Sequence, residues 1–353
     1  MSQSSIAEQV KDLGIPVRRG TRITATVDDH PNTPDRIGSD LWLSRWARNA
    51  FQNYPIVSRA MGVRWLADCA KGMPAFVVGV GPSLDSAIAH LKTIGRRALI
   101  ISTDAALRSL LANRIMPDAV ISYDAKEKQN VLWSSLPDGM AWPPLLISTC
   151  THPESIRSWR GPVLFYNQFH TQDDLCGKIL PVVYPHIGQI PSAGTVGNMA
   201  VLAAHLMGCD PICCVGMDFC YQPAKGGVMA WRYRAQDYRW QSETGAGTPP
   251  AWIQTEIKEL YDNDERMARS FMVKDENGKE FRSDPELGFY LQSFKDVMTH
   301  YKVPVVNCTP EGMIPDTFFK MSLEDAIQKY CRIDFQDGRT ILYQLNNLAR
   351  PHS

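Results

Sequence analysis

The chain has 353 residues, and its 37 Lys and Arg balance its 37 Asp and Glu, so the formal net charge is zero. Hydrophobic residues make up 44% and charged residues 21%, a balance that excludes an intrinsically disordered chain and lacks the basic excess of a dedicated nucleic-acid binder. The length is enough to bury a core without metal or disulfide staples, and it fits about two domains or one large α/β domain with additions.

Residues 1–38 are polar, carry Pro31 and Pro34, and read as a flexible N-terminal arm. Met1–Gly20 has no apolar run of the kind a secretory signal needs. No stretch reaches the roughly 20 apolar residues that cross a bilayer, so the expectation is a cytoplasmic protein without a membrane partner. From Asp40 to Ala70, Leu41, Trp42, Trp46, Phe51, Ile56, Met61, Trp65 and Leu66 recur at helical spacing. This predicts a helical flank over 39–70.

The core is expected over 71–222. Short apolar runs predict strands at Ala75–Val80, Ala98–Ser102, Ala119–Tyr123, Leu145–Thr149, Val163–Tyr166 and Ile212–Gly216. Amphipathic runs between them predict helices at Ser83–Thr93, Asp104–Asn113, Glu154–Trp159, Asp173–Leu180 and Thr195–Met207. Continuous apolar strands alternating with helices imply a mostly parallel sheet covered on both faces, hence a doubly wound, Rossmann-like α/β fold. Residues 223–284 break this rhythm with Gly226, Gly227, Gly245, Gly247, Pro249 and Pro250, and read as an insertion or lid. A helix at Pro285–Tyr301, a strand at Val303–Asn307 and a helix at Ser322–Tyr330 form a closing unit over 285–335, followed by a tail over 336–353.

Four motifs stand where such sheets bind ligands, outside the carboxyl ends of the strands. In the first, Gly79, Gly81, Pro82 and Ser83 turn a strand into a helix. Glycine permits close approach of backbone to a phosphate, and the helix N-terminus offers amides and a positive dipole end. In the second, Asp104 and Asp124 each follow a strand. In the third, Ser192, Gly194 and Thr195 open another helix, and the strand after it ends in Asp218 and Tyr221. Gly197 inside that helix costs about 1 kcal/mol relative to Ala, which points to close packing or ligand approach. In the fourth, Asn307, Thr309 and Glu311 supply polar groups after the late strand.

His186 is the best-placed histidine for a general base, whereas His205 lies mid-helix among apolar residues. The nine cysteines show no paired metal-ligand spacing, so no metal site is expected. Trp231, Arg232, Tyr233, Arg234, Tyr238, Arg239 and Trp240 could clamp an anion or form an interface.

Taken in order, Gly79-x-Gly81-Pro82-Ser83-Leu84-Asp85, Thr103-Asp104, Pro117-Asp118, Asp124, Val215-Gly216-Met217-Asp218 and Asn307-Cys308-Thr309-Pro310-Glu311-Gly312 resemble the MptE-like family. That family takes in bacterial motility accessory factors and archaeal 6-hydroxymethylpterin diphosphokinases. A more distant similarity, carried by Gly81–Leu84, Ser192–Thr195 and Gly216–Tyr221, is to Rossmann-like bacterial sialyltransferases. The resemblance implies a transferase, with a glycosyltransferase that uses a CMP-nonulosonate type donor as the leading form. Asp124, Asp218 and His186 would be catalytic. Gly79, Gly81, Pro82, Ser83, Asp104, Ser192, Gly194, Thr195, Tyr221, Asn307 and Thr309 would hold the nucleotide donor. The implied acceptor is a protein such as flagellin. The alternatives are an ATP-dependent 6-hydroxymethylpterin diphosphokinase, in which Mg²⁺ would accompany the nucleotide, and a non-catalytic nucleotide or sugar binding module. The chain departs from the diphosphokinase pattern at Ser122-Tyr123-Asp124-Ala125, where one carboxylate stands instead of a pair.

Overall fold

The computed structural model describes residues 34–125, 132–133, 136, 140–169, 175–224, 227–229, 270–274, 278–309 and 312–334. The chain enters through a long helix α1 (Pro34–Val57) and a single 3-10 turn (Val63–Leu66). Strands β1 (Ala75–Val78), β2 (Leu99–Thr103), β3 (Ala119–Ser122) and β4 (Leu145–Ser148) follow, each buried at every position. Helices α2 (Leu84–Leu91) and α3 (Asp104–Ala112) connect the first three strands. Then come α4 (Pro153–Arg157), β5 (Val163–Phe169), α5 (Leu175–Val183), β6 (Gln189–Pro191), α6 (Val196–Leu206) and β7 (Ile212–Val215).

Beyond β7 lie two antiparallel pairs, β8 (Gln222–Ala224) with β9 (Gly227–Met229) and β10 (Phe271–Lys274) with β11 (Glu280–Ser283). Helix α7 (Pro285–His300), strands β12 (Val305–Asn307) and β13 (Phe319–Lys320), and helix α8 (Leu323–Tyr330) complete the described chain.

Nine strands form one sheet in the order β13-β12-β7-β1-β2-β3-β4-β5-β6, and every ladder in it is parallel. The largely apolar, buried strands require cover on both faces, and they have it. On one face, α6 and α7 bury Met199, Leu202, Leu206, Phe294 and Val297 against Val77, Ile101 and Ile121. On the other, α1 and α5 pack over the β4–β5 side through Ala50, Val57, Leu180 and Tyr184. There α2, α3 and α8 pack over the β1–β7 side through Leu84, Leu110 and Ile327. Each such side chain contributes roughly 1.5–3 kcal/mol by leaving water.

The chain runs outward from β1 to β6, then returns through α6 to β7 on the other side of β1. The strand order therefore reverses between β1 and β7, which is where such sheets open a crevice. Helix α1 starts at Pro34, so residues 34–38, expected in the arm, are helical. Two strands of this sheet were not legible, nor were the four strands of the two antiparallel pairs, which fall almost wholly in the expected insertion. β6 contains Pro191 and β13 has two residues, and both lie at sheet edges, where short and proline-bearing strands are tolerated. Among the described residues no helix is long and apolar enough to cross a membrane.

Candidate functional site

A crevice of about 180 Å³ opens at the switch point. The turn after β1 forms one wall, with Gly79 and Gly81 on its surface, and the turn before α6 forms another, with Gly194 and Thr195. The two small-residue helix starts thus converge on one cavity. The remaining walls come from Thr103, Asp104, Tyr123 and Asp124 after β2 and β3, from Met217 and Asp218 after β7, and from Glu286 and Tyr290 on α7.

The first turn is already satisfied from within. The Gly79 amide donates to the Val215 carbonyl at 2.8 Å, and the Gly81 amide to the Gly216 carbonyl at 2.7 Å. The Ser83 hydroxyl donates to Asp218 Oδ2 at 2.9 Å, with the Ser83 amide 3.4 Å from the same oxygen. The carboxylate of Asp218, almost fully buried, is thus the anion that the start of α2 attracts. The sequence points these amides at a ligand; here the Val215 and Gly216 carbonyls take those of Gly79 and Gly81, and the Asp218 carboxylate takes Ser83. Gly81 is required for this contact, since a Cβ there would lie 1.8 Å from Asp218 Oδ2.

The second turn is arranged differently. Gly194 has φ +79°, a left-handed conformation suited to glycine. Thr195 caps α6 and accepts from the Asn198 amide at 3.1 Å. The amides of Val196 and Gly197 precede that bond and belong to the first turn, which has no intrahelical carbonyl to meet. Both residues line the crevice. The Tyr123 hydroxyl donates to the Gly194 carbonyl at 3.1 Å, and Asn198 Nδ2 donates to the carbonyls of Ala193 and Tyr290 at 2.6 and 3.1 Å. These bonds tie β3, α6 and α7 together around the cavity.

The lining is acidic. Asp104, Asp124, Asp218 and Glu286 border the crevice, and among its described lining residues there is no Lys, Arg or His. Asp104 accepts from the Ala105 amide at 2.7 Å and from the Ser122 hydroxyl at 2.6 Å, one on each oxygen. Asp124 stands half-buried on the wall, and its loop is held by α1. Asn49 Nδ2 donates to the carbonyls of Ala125 and Cys150 at 3.2 and 3.1 Å. Glu286 accepts from the Tyr290 hydroxyl. Beneath the wall, burial pushes the Tyr166 hydroxyl well up, so it stays protonated and donates to the Ser122 carbonyl at 2.9 Å. Among the described residues no three His, Cys, Asp or Glu side chains gather closely enough to hold a metal ion.

Other expected site residues lie apart from the cavity. His186 sits in the turn before β6, at the amino edge of the sheet, with Nε2 3.2 Å from the Val57 carbonyl. It does not share the crevice with Asp124 and Asp218. Pro82 and Ser83 lie behind the first turn, and Ser192 is buried below the second. Tyr221 donates to the Asp284 carboxylate, which caps α7 through the Leu287 amide at 2.7 Å. Asn307 and Thr309 brace the exit of β7 from behind. Asn307 Oδ1 accepts from the Thr309 amide at 2.8 Å, and Thr309 Oγ1 lies 3.4 Å from both the Met217 amide and the Cys214 carbonyl. Glu311 and the 231–240 aromatic and arginine block lie outside the described residues. Sequence reasoning missed Asn49, Glu286 and Tyr290. Asn49 and Asn53, one turn apart in an otherwise apolar stripe, were the available signal for the first.

A search among curated proteins finds no match. Among solved structures, the chain is similar to one titled "Structure of MAf glycosyltransferase from Magnetospirillum magneticum AMB-1", with TM-score 0.51 and 17% identity. The superposition covers 82% of this chain but 41% of that one, so the chain spans about two fifths of its length. At this identity the likeness shows a shared fold. The family model described as 6-hydroxymethylpterin diphosphokinase MptE-like matches residues 48–224, half of the sequence, and takes in both turns and every strand from β1 to β7. On that match the chain belongs to the MptE-like family.

Proposed function

We propose that the protein is a nucleotide-dependent transferase, and that its donor is a nucleotide-activated sugar of the CMP-nonulosonate type. The observation that carries this is the meeting of the Gly79–Ser83 and Gly194–Thr195 turns over one cavity at the β1/β7 switch point. Asp218 already satisfies the start of α2, so the donor phosphate is assigned to the start of α6. The amides of Val196 and Gly197 and the positive end of an 11-residue helix serve an anion there. Asp124 takes the role first given to His186. In the transfer step the acceptor hydroxyl oxygen forms the new bond to the anomeric carbon. The bond from that carbon to the phosphate oxygen breaks, CMP leaves with the electron pair, and the hydroxyl proton passes to the Asp124 carboxylate. A protein hydroxyl, as on flagellin, is the proposed acceptor.

The reading is tested by calorimetric titration with CMP and a CMP-nonulosonate. Saturable heat with both is expected, and none with any cytidine nucleotide overturns the proposed donor.

A second reading is favoured by the family description itself: diphosphoryl transfer from ATP to a hydroxymethylpterin. There the pterin hydroxymethyl oxygen attacks the β-phosphorus, AMP leaves, and the proton again passes to Asp124. AMP release that depends on the pterin, assayed with ATP and Mg²⁺, decides for this reading; its absence removes it.

A further inference from the structure

Beyond the lined cavity, the same face of the sheet carries polar groups that the architecture does not use. Register fixes which residues share that face. Ile121, Leu146 and Leu164 are paired across β3, β4 and β5, and two residues further along stand Tyr123, Ser148 and Tyr166. Gln168 follows on β5, paired with Ile190 of β6, and Ser192 lies two residues beyond Ile190 on the same side. Ile190 packs into the α6-side core with Leu164 and Tyr166. Tyr123 at one end and Gly194, two residues after Ser192, at the other both line the crevice.

Gln168 is fully buried, and neither its Oε1 nor its Nε2 has a hydrogen-bond partner among the described residues. Ser192 is 4% exposed and its Oγ is likewise unpartnered among them. Thr103 Oγ1, on the crevice wall, is in the same condition. Buried polar groups are paired in native proteins, and a carboxamide left open at both ends is among the most costly exceptions. These two residues lie at the carboxyl ends of neighbouring strands, behind the lined crevice and on the sheet edge where such folds bind ligands. A glutamine presents one acceptor and one donor in a plane. Its complement is a planar ring edge with donor and acceptor adjacent, as in a nucleobase or a pteridine.

We infer that Gln168 and Ser192 form the inner wall of a heterocycle subsite continuous with the crevice past Tyr123. This rests on the reading that the crevice takes a nucleotide. The ring is either the base of the donor or the pteridine of an acceptor, which share this edge chemistry.

The test is calorimetry on the full chain and on Gln168→Leu, with CMP, AMP, 6-hydroxymethylpterin and the ring-free control ribose 5-phosphate, alongside thermal unfolding of both proteins. At least a tenfold loss of affinity for a ring-bearing ligand, with ribose 5-phosphate unchanged, is expected. Loss for a nucleotide alone assigns the donor base; loss for the pterin alone assigns the acceptor. Unchanged affinity for every ligand together with a raised melting temperature shows a merely structural amide and overturns the subsite while leaving the function standing. If the unsubstituted chain binds neither nucleotides nor pterin, the functional reading falls and the subsite with it. Ser192→Ala, a smaller change, carries the same comparison if Gln168→Leu does not fold.

Discussion

Ser83 and Asp218, 135 positions apart in the chain, meet where α2 begins, with the serine hydroxyl 2.9 Å from the carboxylate. This one pair joins the turns that follow the two strands flanking the switch point, and it occupies the start of α2. The residue that follows the fourth motif helps hold the aspartate in place, since the Met313 amide donates to the Asp218 carbonyl at 2.9 Å.

A double-mutant cycle measures that pair. Ser83→Ala removes a hydrogen bond to a charged group, which costs about 1.5–3 kcal/mol. Asp218→Ala leaves both the amide and the hydroxyl of Ser83 unpaired in the interior, each at a cost of about 1–3 kcal/mol. Urea unfolding of the two single variants and the double variant is expected to give a coupling energy of about 1.5–3 kcal/mol, within the range for contacting polar groups. Nucleotide affinity of Ser83→Ala should stay close to that of the parent; a collapse of affinity without a loss of stability would return Ser83 to the ligand site.

Gly81 and Gly194 separate the two turns by experiment. Gly81→Ala drives a methyl group into Asp218 Oδ2, and an overpacked interior site of this kind costs typically 1–3 kcal/mol or more. Gly194→Ala meets Ser293 Oγ at a milder 3.1 Å but must hold φ +79°, which costs an alanine about 1–2 kcal/mol. The expected pattern is that Gly81→Ala chiefly lowers the melting temperature. Gly194→Ala, by shifting the amides of Val196 and Gly197, also weakens nucleotide binding.

Asp124 is assigned the proton-accepting role. Asp124→Asn keeps the shape and removes the basicity, so turnover should fall by about 10²–10⁴-fold with the fold intact. Donor affinity separates two roles for the carboxylate. A base acting on the acceptor leaves donor binding nearly unchanged, whereas a carboxylate that merely repels phosphate gives tighter binding when neutralised and no loss of rate.

The sheet was legible because its central strands carry short, nearly continuous apolar runs such as Ala75–Val78 and Leu99–Ile101, a pattern that two covered faces explain. The two turns were legible because small residues followed by a hydroxyl mark helix starts. The satisfaction of one turn by Asp218 was not, because it depends on a contact across 135 residues that no local spacing encodes. His186 was misplaced for a related reason. Reading which edge it occupies requires knowing that β6, a three-residue strand ending in Pro191, follows it. The asparagine ties of α1 to the loops after β3 and β4 belong to the same class of long-range contact.

His205 sets an acid limit. Burial lowers its pKa from the ordinary value, with Asp68 pulling weakly the other way. The folded chain therefore keeps the imidazole neutral to lower pH than the unfolded chain, whose histidine protonates near 6.5. Below about pH 6.5 the unfolded state binds the extra proton, so stability is lost as pH falls. His205→Gln should narrow the difference in urea midpoint between pH 7.5 and pH 5.

The thiols set the alkaline limit, by the same linkage with the opposite sign. Burial pushes Cys69 up to about 12 and Cys331 up to about 11, and raises Cys209 and Cys214 as well. Cys150 and Cys213 are raised well above the usual thiol value, first by hydrogen bonds with Cys176 and Cys308 and then by burial. The unfolded chain ionises these groups near pH 8.5, so above that the folded state holds more protons and stability falls with rising pH, by up to about 1.4 kcal/mol per unit for each such thiol. The thiolate is the reactive form. At pH 8 a thiol-reactive chromophore should label the native protein slowly and reach all nine cysteines only in denaturant. Rapid stoichiometric labelling of the native chain would contradict the buried placement of Cys213 and Cys214 on the two covered faces of the sheet.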